Sequence, residues 1–584
     1  MKAEWNLKLL YASPKDPRIE KDVRKTELAY KAFAKKYRDT ETYLKNEQAL
    51  LRALQEYEAL NDQTVPGSRA IDYFSFRHEL NSFDTEAEAK VAQLSDRLTK
   101  AGNEIVFFTL KLGTIEKKQQ GRFLKSRRLA PYRYFLKRIF LESRHQLTEK
   151  EEKILNLKSL PARALWIGGR EKAENKRTVL FEGKDIPIAE ALNLVQTLPV
   201  KRRRMLHKAA MGTLQEIGDF AESEINAVFT DKKINDELRG FKHPYSATIL
   251  GYENDEKGIV NLAQTVTHDF KTSADFYALK KKILKLPHLE YADRSVGIGK
   301  VKQTFTFKES YQILREIFHS LGGEYSSILE HFVKEGQIDA FPKKGKSGGA
   351  YCANSYGLPT FVLLNHVNSF NSLMTFAHEM GHAIHTELSK SQRSLYQHYT
   401  MSVAETASTF FETAAFNTIF EKLSDAEKTI ALHDRIQDDI STIYRQIAFF
   451  NFELELHLKI RKEGSVPKEK IAEMLNEHMK AYIGKSMKFM PEDGYFFVTV
   501  SHFRRPFYVY SYTYGQLISK ALYEKFRADP SYMEKIKEFL RAGGSKSPED
   551  IFGDIGINTK SPALFKEGLA SVKKDIARLK KLTS

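Results

Sequence analysis

His378, Glu379 and His382 stand in the spacing H-E-x-x-H inside Phe376-Ala-His-Glu-Met-Gly-His-Ala-Ile-His385. On an α-helix, residues four apart lie about 40° apart around the axis and roughly 6 Å along it. Two imidazoles so placed reach one metal ion from the same face, and Glu379, one step round, reaches a water on that ion. Two histidines and a glutamate base form the donor set with which zinc activates water for peptide hydrolysis. In a chain with 17 histidines the bare pattern arises by accident in roughly a few per cent of cases. The rest of the chain must therefore supply a third ligand, a helix and a place for substrate.

The third ligand follows by elimination. The metzincin pattern puts a glycine and then a histidine at fixed offsets after the second ligand; here those positions hold His385 and Leu388. The alternative is a glutamate from a second helix. Thr400-Met-Ser-Val-Ala-Glu-Thr-Ala-Ser-Thr-Phe-Phe-Glu-Thr-Ala-Ala-Phe416 is rich in small residues and sets Glu405 among Val403, Ala404 and Ala407. Burying a carboxylate in that company is costly unless it is paired or bound to metal. Glu412, seven residues on, shares that face two turns away and can accept a hydrogen bond from a ligand imidazole, fixing its tautomer.

The elements that position these groups are also marked. Ser369 or Ser372 can cap the start of the metal helix. Gly381, beside the second ligand, costs about 1 kcal/mol of helix propensity relative to alanine, which points to close packing against another backbone. Ahead of the helix, Phe341-Pro-Lys-Lys-Gly-Lys-Ser-Gly-Gly-Ala-Tyr351 is a Gly-rich loop, and Leu358-Pro-Thr-Phe-Val-Leu-Leu-Asn365 is an apolar, β-rich run. A strand there is expected to offer a free backbone edge to an extended peptide, whatever the peptide's side chains.

At 584 residues the chain is long enough for several domains or one multi-lobed body. Glycine (31) and proline (17) are sparse and 42% of residues are hydrophobic, so a largely helical fold with a substantial core is expected. Cys352 is the only cysteine; this excludes a disulfide framework and a Cys-rich zinc module, and fits a reducing cytoplasm. No run approaches the ~18 apolar residues of a membrane span. The apolar opening is broken by Lys8 and followed by Pro14-Lys-Asp-Pro17, so no signal-peptide core is present and a cytoplasmic location is expected. The net charge is +17, from 92 basic and 75 acidic residues. It is dispersed, and the clusters Lys201-Arg-Arg-Arg204 and Lys280-Lys-Lys282 lack interleaved aromatics, so no nucleic-acid partner is expected.

In chain order, long charged helices dominate residues 22–144, with Pro66-Gly-Ser read as a breaker between two of them. Thr148 caps a further helix. Trp166-Ile-Gly-Gly and Thr178-Val-Leu-Phe-Glu-Gly read as a short extended insertion, and a helix is expected over 308–318. No internal repeat or low-complexity linker is present. The Thr197-Leu-Pro break divides the chain into 1–195 and 196–584, the second part carrying the metal site.

These residues resemble peptidase family M3, in its oligoendopeptidase F branch. That family's pattern is H-E-x-G-H followed by a glutamate on a later helix, matched by His378-Glu379-Met-Gly381-His382 and Val403-Ala-Glu405-Thr-Ala-Ser-Thr. Trp5-Asn-Leu, Lys346-Ser-Gly-Gly-Ala-Tyr351, His502-Phe-Arg-Arg-Pro-Phe-Tyr-Val-Tyr-Ser-Tyr512 and Leu540-Arg-Ala-Gly-Gly-Ser-Lys-Ser-Pro548 are also similar. The resemblance implies an almost all-helical, two-lobed body around a deep channel that admits only short peptides, with a small β element beside the metal helix. It implies one Zn2+ per chain on His378, His382 and Glu405, with Glu379 catalytic. It also implies a histidine and tyrosines of a late segment facing the substrate. His502 matches that histidine. Tyr508, Tyr510, Tyr512 and Tyr514 are the candidate tyrosines; Tyr508 and Tyr512, with Tyr351, form the expected substrate-binding set. Asn365-His-Val-Asn368 departs from the family's sequence at the substrate edge.

The expected activity is endopeptidase action on oligopeptides, by a monomer or small homo-oligomer. Glu379 would take a proton from water and hand it to the leaving amine, and His502 or a tyrosine would steady the oxyanion. Two alternatives are a basic helical protein binding nucleic acid, which would be strongly salt-dependent, and a catalytically silent peptide-binding scaffold.

Overall fold

The computed structural model describes residues 2–583. Helices carry most of the chain, as the composition predicts. Among the described residues the strands are two to four residues long and form three small sheets. By internal contacts the chain divides into two compact units, each built from three segments. One comprises the residues up to Arg144 with Gln303–Thr418 and Lys525–Ile555; the other comprises His145–Lys302, Ile419–Glu524 and the residues from Gly556 on. Neither unit coincides with 1–195 or 196–584, because segments hundreds of residues apart in sequence pack together.

Several local signals resolve as the residues dictate. Thr148 and Glu151 form a capping box at the start of Glu149–Ser159, and Thr306 with Glu309 does the same for Phe307–Leu321. The Thr197-Leu-Pro break lies between helices Ile188–Leu194 and Val200–Glu216. The extended insertion is only half as expected: Thr178–Phe181 pairs antiparallel with Lys184–Pro187, but Trp166 lies in helix Leu165–Asn175.

Pro66 corrects the sequence reading outright. It lies inside one helix of 34 residues, Glu47–Leu80. Proline removes one helical hydrogen bond and displaces another carbonyl. Side chains from outside the helix bond the backbone on both sides of the Pro66–Gly67 peptide. The freed Gly67 N–H donates to Thr26 Oγ1 at 3.0 Å, and the Tyr11 hydroxyl lies 3.3 Å from the Pro66 carbonyl. Tertiary partners keep the helix running through its breaker.

In the first unit, Ile338–Asp339, Phe361–Leu363 and Tyr351–Ala353 form a three-stranded sheet with Phe361–Leu363 in the middle. It pairs parallel with Ile338–Asp339 and antiparallel with Tyr351–Ala353. The expected free edge on the 358–365 run is therefore corrected: that strand is paired on both sides, and Tyr351–Ala353 carries the edge. The chain's opening turn pins this sheet. Trp5 Nε1 donates to the Val362 carbonyl at 2.8 Å and the Trp5 N–H to Asp339 Oδ2 at 3.2 Å. Its ring sits among Phe76, Tyr351 and Phe361.

Candidate metal centre

The metal helix spans Phe370–Ser389, and Ser369 rather than Ser372 caps it, accepting from the Ser372 N–H at 3.1 Å. Asn368, at φ +57, turns the chain into the cap; asparagine tolerates this left-handed region better than most residues. His366, from the divergent Asn365-His-Val-Asn368 stretch, is a structural residue. Its Nδ1 accepts from the Asn368 N–H at 3.2 Å and its Nε2 meets Ser310 Oγ at 3.1 Å.

The second helix, Met401–Phe420, carries Glu405 and Glu412. The two helices touch at Gly381, where a Cβ would meet Ser408 Cα at 2.6 Å and the Ala407 carbonyl at 3.2 Å. The glycine and the small residues facing it let the backbones approach closely enough for Glu405 to reach the histidines. The far side of the metal helix is backed by Met533–Ala542. The Gly543-Gly544 pair is required there: a Cβ on Gly544 would lie 2.0 Å from the His398 carbonyl, and its N–H donates to the Tyr396 carbonyl at 2.7 Å.

His378, His382 and Glu405 each offer one ligand atom, and these atoms all lie within 4.8 Å of one another. His378 Nε2 is 3.6 Å from Glu405 Oε2. Donors at ~2.0–2.1 Å from a tetrahedral ion stand about 3.4 Å apart, so the spacing fits one small cation. His378 Nδ1 is 2.8 Å from Glu412 Oε2. That contact holds the ring proton on Nδ1 and leaves the Nε2 lone pair for a metal. The donor set fits the metal implied for it.

Electrostatics give the same picture. Burial alone would depress His378, but Glu412, Glu405 and Glu379 outweigh it and raise the imidazole to about 9. Burial, and then repulsion from His378, holds His382 well below the usual histidine range. Burial, reinforced by Glu405 and Glu412 and opposed by His378, lifts the Glu379 carboxyl to about 7. Burial also raises Glu405, against the pull of His378. Three crowded carboxylates are the charge a divalent cation offsets. Glu379 is 7% exposed, and its carboxylate is in hydrogen-bonding reach of the Cys352 N–H on the edge strand. That contact was invisible in the sequence, where only the nearness of the Gly-rich loop hinted at it. Tyr351 turns its phenol into the core beside Trp5. His385 is not a further ligand. It is fully buried, stacked on Tyr399 at 3.7 Å, and burial pushes it down to about 3.

In the second unit, His502 lies in the turn Ser501–Arg504, with Nδ1 2.5 Å from the Tyr508 hydroxyl. Tyr512 completes the group, its ring 6.0 Å from His502 and 5.7 Å from Tyr508. The structure thus separates the four tyrosines. Tyr510 and Tyr514 are fully buried, while Tyr508 and Tyr512 gather around His502. Burial, with Arg445 and Arg505 adding, pushes His502 down to about 4, so its ring is neutral at neutral pH.

Known proteins resemble this chain along nearly its whole length. The family model for "Peptidase family M3" matches residues 237–571, and that for "Oligopeptidase F" matches 111–167. An oligoendopeptidase F homolog of Borreliella burgdorferi is 26% identical over 592 residues, covering 99% of this chain and 98% of the relative. Oligopeptidase PepF of Bacillus subtilis is 26% identical over 528 residues, covering 87% of this chain and 78% of its own. The crystal structure of oligoendopeptidase-F from Enterococcus faecium superposes with TM-score 0.70 at 17% identity, covering 97% of each chain. The chain belongs to peptidase family M3. It is an enzyme, of the metalloendopeptidase class, similar to the oligoendopeptidase F proteins. No helix among the described residues is long and apolar enough to cross a membrane.

Proposed function

We propose that the protein is a zinc-dependent endopeptidase of short peptides, in which His378, His382 and Glu405 hold one zinc ion per chain and Glu379 moves the proton. The observation that carries this reading is a ligand triad with donors within 4.8 Å of one another, adjoined by a buried fourth carboxylate. Two imidazoles and a carboxylate with an open position favour zinc over harder ions. When bound, the ion polarises a carbonyl and acidifies a water. Glu379 accepts the proton of the attacking water and passes it to the departing amine nitrogen; its burial shields the transfer from bulk solvent. Glu412 keeps His378 in the ligating tautomer.

In the tautomer where the Tyr508 hydroxyl donates to His502 Nδ1, the ring N–H stands on Nε2. That N–H is the donor for negative charge developing on the scissile carbonyl oxygen, a role worth about 3 kcal/mol. Tyr508 and Tyr512 line the substrate, and the Tyr351–Ala353 edge pairs with its backbone. The relatives' names, oligoendopeptidase and oligopeptidase, support short peptides as substrates. The single cysteine supports a cytoplasmic setting, with a monomer or small homo-oligomer and neither nucleic acid nor membrane as partner. The split at 195/196 is kept as a proposed division between an oligopeptidase F-type region and the M3-type catalytic region.

The test is cleavage of a quenched fluorescent oligopeptide with and without a zinc chelator, together with Glu379→Gln. Chelation is expected to abolish cleavage. Glu379→Gln is expected to retain zinc and lose at least about a thousandfold in kcat; near-normal turnover in that variant overturns the assignment of the base.

A further inference from the structure

The second unit holds a cavity of about 370 Å3 that the chemistry above does not use, within the range of ligand pockets. Two arginines line it. Arg294 lies with its guanidinium over the rings of Tyr291, at 4.1 Å, and Phe496, at 4.8 Å. Among the described residues its Nε is buried without a hydrogen-bond partner, and the side chain's hydrogen bond is a long 3.4 Å approach to the Tyr291 carbonyl. Arg445 opens the helix Arg445–Glu463 directly after a π-helical turn, Ile440–Tyr444, a backbone feature frequent at functional sites. Its Nε is likewise buried and unpartnered, and its guanidinium has no ion pair among the described residues.

Arginine stays charged whatever its surroundings, so a half-buried guanidinium without a counter-ion is costly. Two of them lining one cavity repel each other as well. The carboxylates around the cavity are all engaged elsewhere. Glu174 is held by Arg170. Asp293 is held by Arg203 and Arg204, each at 2.7 Å, and Glu290 by Arg204 at 2.9 Å. Asp493 is 2.7 Å from His207. An anion from outside the chain fits what remains. The other walls include Leu192, Val195 and Phe496, an apolar lining that a bare inorganic anion would not use.

We propose that this cavity binds the C-terminal residue of the peptide substrate, with its α-carboxylate between Arg294 and Arg445 and its side chain against the apolar wall. Planar guanidinium pairs carboxylate in a bidentate fork. One ring separates the cavity's Arg445 from the His502 group: Arg445 lies 5.9 Å from the Phe449 ring, whose centroid is 6.1 Å from that of His502. Thr499, on the cavity wall, precedes His502 by three residues. This inference rests on the peptidase reading in taking a peptide as ligand.

The experiment uses one oligopeptide sequence made with a free C-terminal carboxylate and as the C-terminal amide. Binding is read by fluorescence polarisation to the full-length Glu379→Gln enzyme, and cleavage by the enzyme with Glu379 intact. The free acid is expected to bind at least about tenfold more tightly than the amide. Arg294→Gln and Arg445→Gln, each in the Glu379→Gln background, are expected to bring that ratio to within about threefold of unity. Equal binding of acid and amide to the Glu379→Gln enzyme overturns the proposal, as does a ratio that survives in both arginine variants. Displacement by inorganic phosphate with no preference for acid over amide also overturns it, in favour of a free-anion site. Failure of the intact enzyme to cleave either peptide would count against the peptidase reading alone, since the binding ratio reads the cavity separately.

Discussion

A Cβ on Gly381 would stand 2.6 Å from the Cα of Ser408, so the helix bearing both histidines and the helix bearing Glu405 meet backbone to backbone. The distance from Glu405 to the histidines is set by the absence of one methyl group. Gly381→Ala gains about 1 kcal/mol of helix propensity but forces the helices apart, at a cost of about 3 kcal/mol or more. The expected outcome is a lower unfolding midpoint and a metal affinity at least about tenfold weaker, read by thermal unfolding and by zinc titration. A variant that binds zinc normally would show that the contact does not set the ligand spacing.

Glu412 touches the site only through His378 Nδ1, at 2.8 Å. Glu412→Ala removes the acceptor that fixes the ring, and partners of this kind are worth about 10–100-fold in metal affinity. Competition with a chelator of known affinity measures the loss. The fold should survive, because the Glu412 side chain is partly exposed.

Thr26 is buried and is the acceptor for the Gly67 N–H beside Pro66. Thr26→Val preserves shape and deletes that acceptor, leaving a backbone donor unpaired in the core. The expected loss is about 1–3 kcal/mol, measured as a fall in the denaturant midpoint. An unchanged midpoint would mean that the long helix tolerates its proline without this partner.

Lys280 is fully buried, with Nζ 2.6 Å from Gln437 Oε1 and 2.8 Å from the Arg294 carbonyl. Burial pushes its ammonium down to about 7, against about 10.4 in an unfolded chain. Between those values the unfolded state holds a proton that the folded state has released, so stability rises with pH across that window. The penalty is complete below pH 7. Compared with Lys280→Met, the parent protein should gain about 2 kcal/mol between pH 7 and pH 9, seen in urea midpoints at the two pH values. A constant gap would place the titration elsewhere.

The sequence was most legible where chemistry constrains spacing. His378 and His382 declare a shared helix face, and the need for a third donor singled out Glu405 and then Glu412. It was least legible where the deciding partner is remote. Pro66 reads as a breaker until Thr26 and Tyr11 are seen beside it. The 358–365 run reads as a free edge until Ile338–Asp339 and Tyr351–Ala353 pair with it from both sides. Tyr508 and Tyr512 could not be told from Tyr510 and Tyr514 by spacing, because the backbone passes from a turn into helix Tyr510–Ala528 within that tract. The interleaved make-up of the two compact units follows from pairings no local pattern encodes.

The helix Met533–Ala542 backs the metal helix, with the Phe539 ring 5.4 Å from His385, and at the other end of the chain Trp5 clamps the sheet across 357 residues. In a growing polypeptide the Trp5 contact can form once Val362 has been made, and the Phe539 contact only after Phe539 has followed. Closing such distant contacts is slow, and until the residues around Phe539 have left the ribosome the metal helix lacks one wall. The spacing of His378, His382 and Glu405 is therefore expected to become fixed only after the Met533–Ala542 helix has docked.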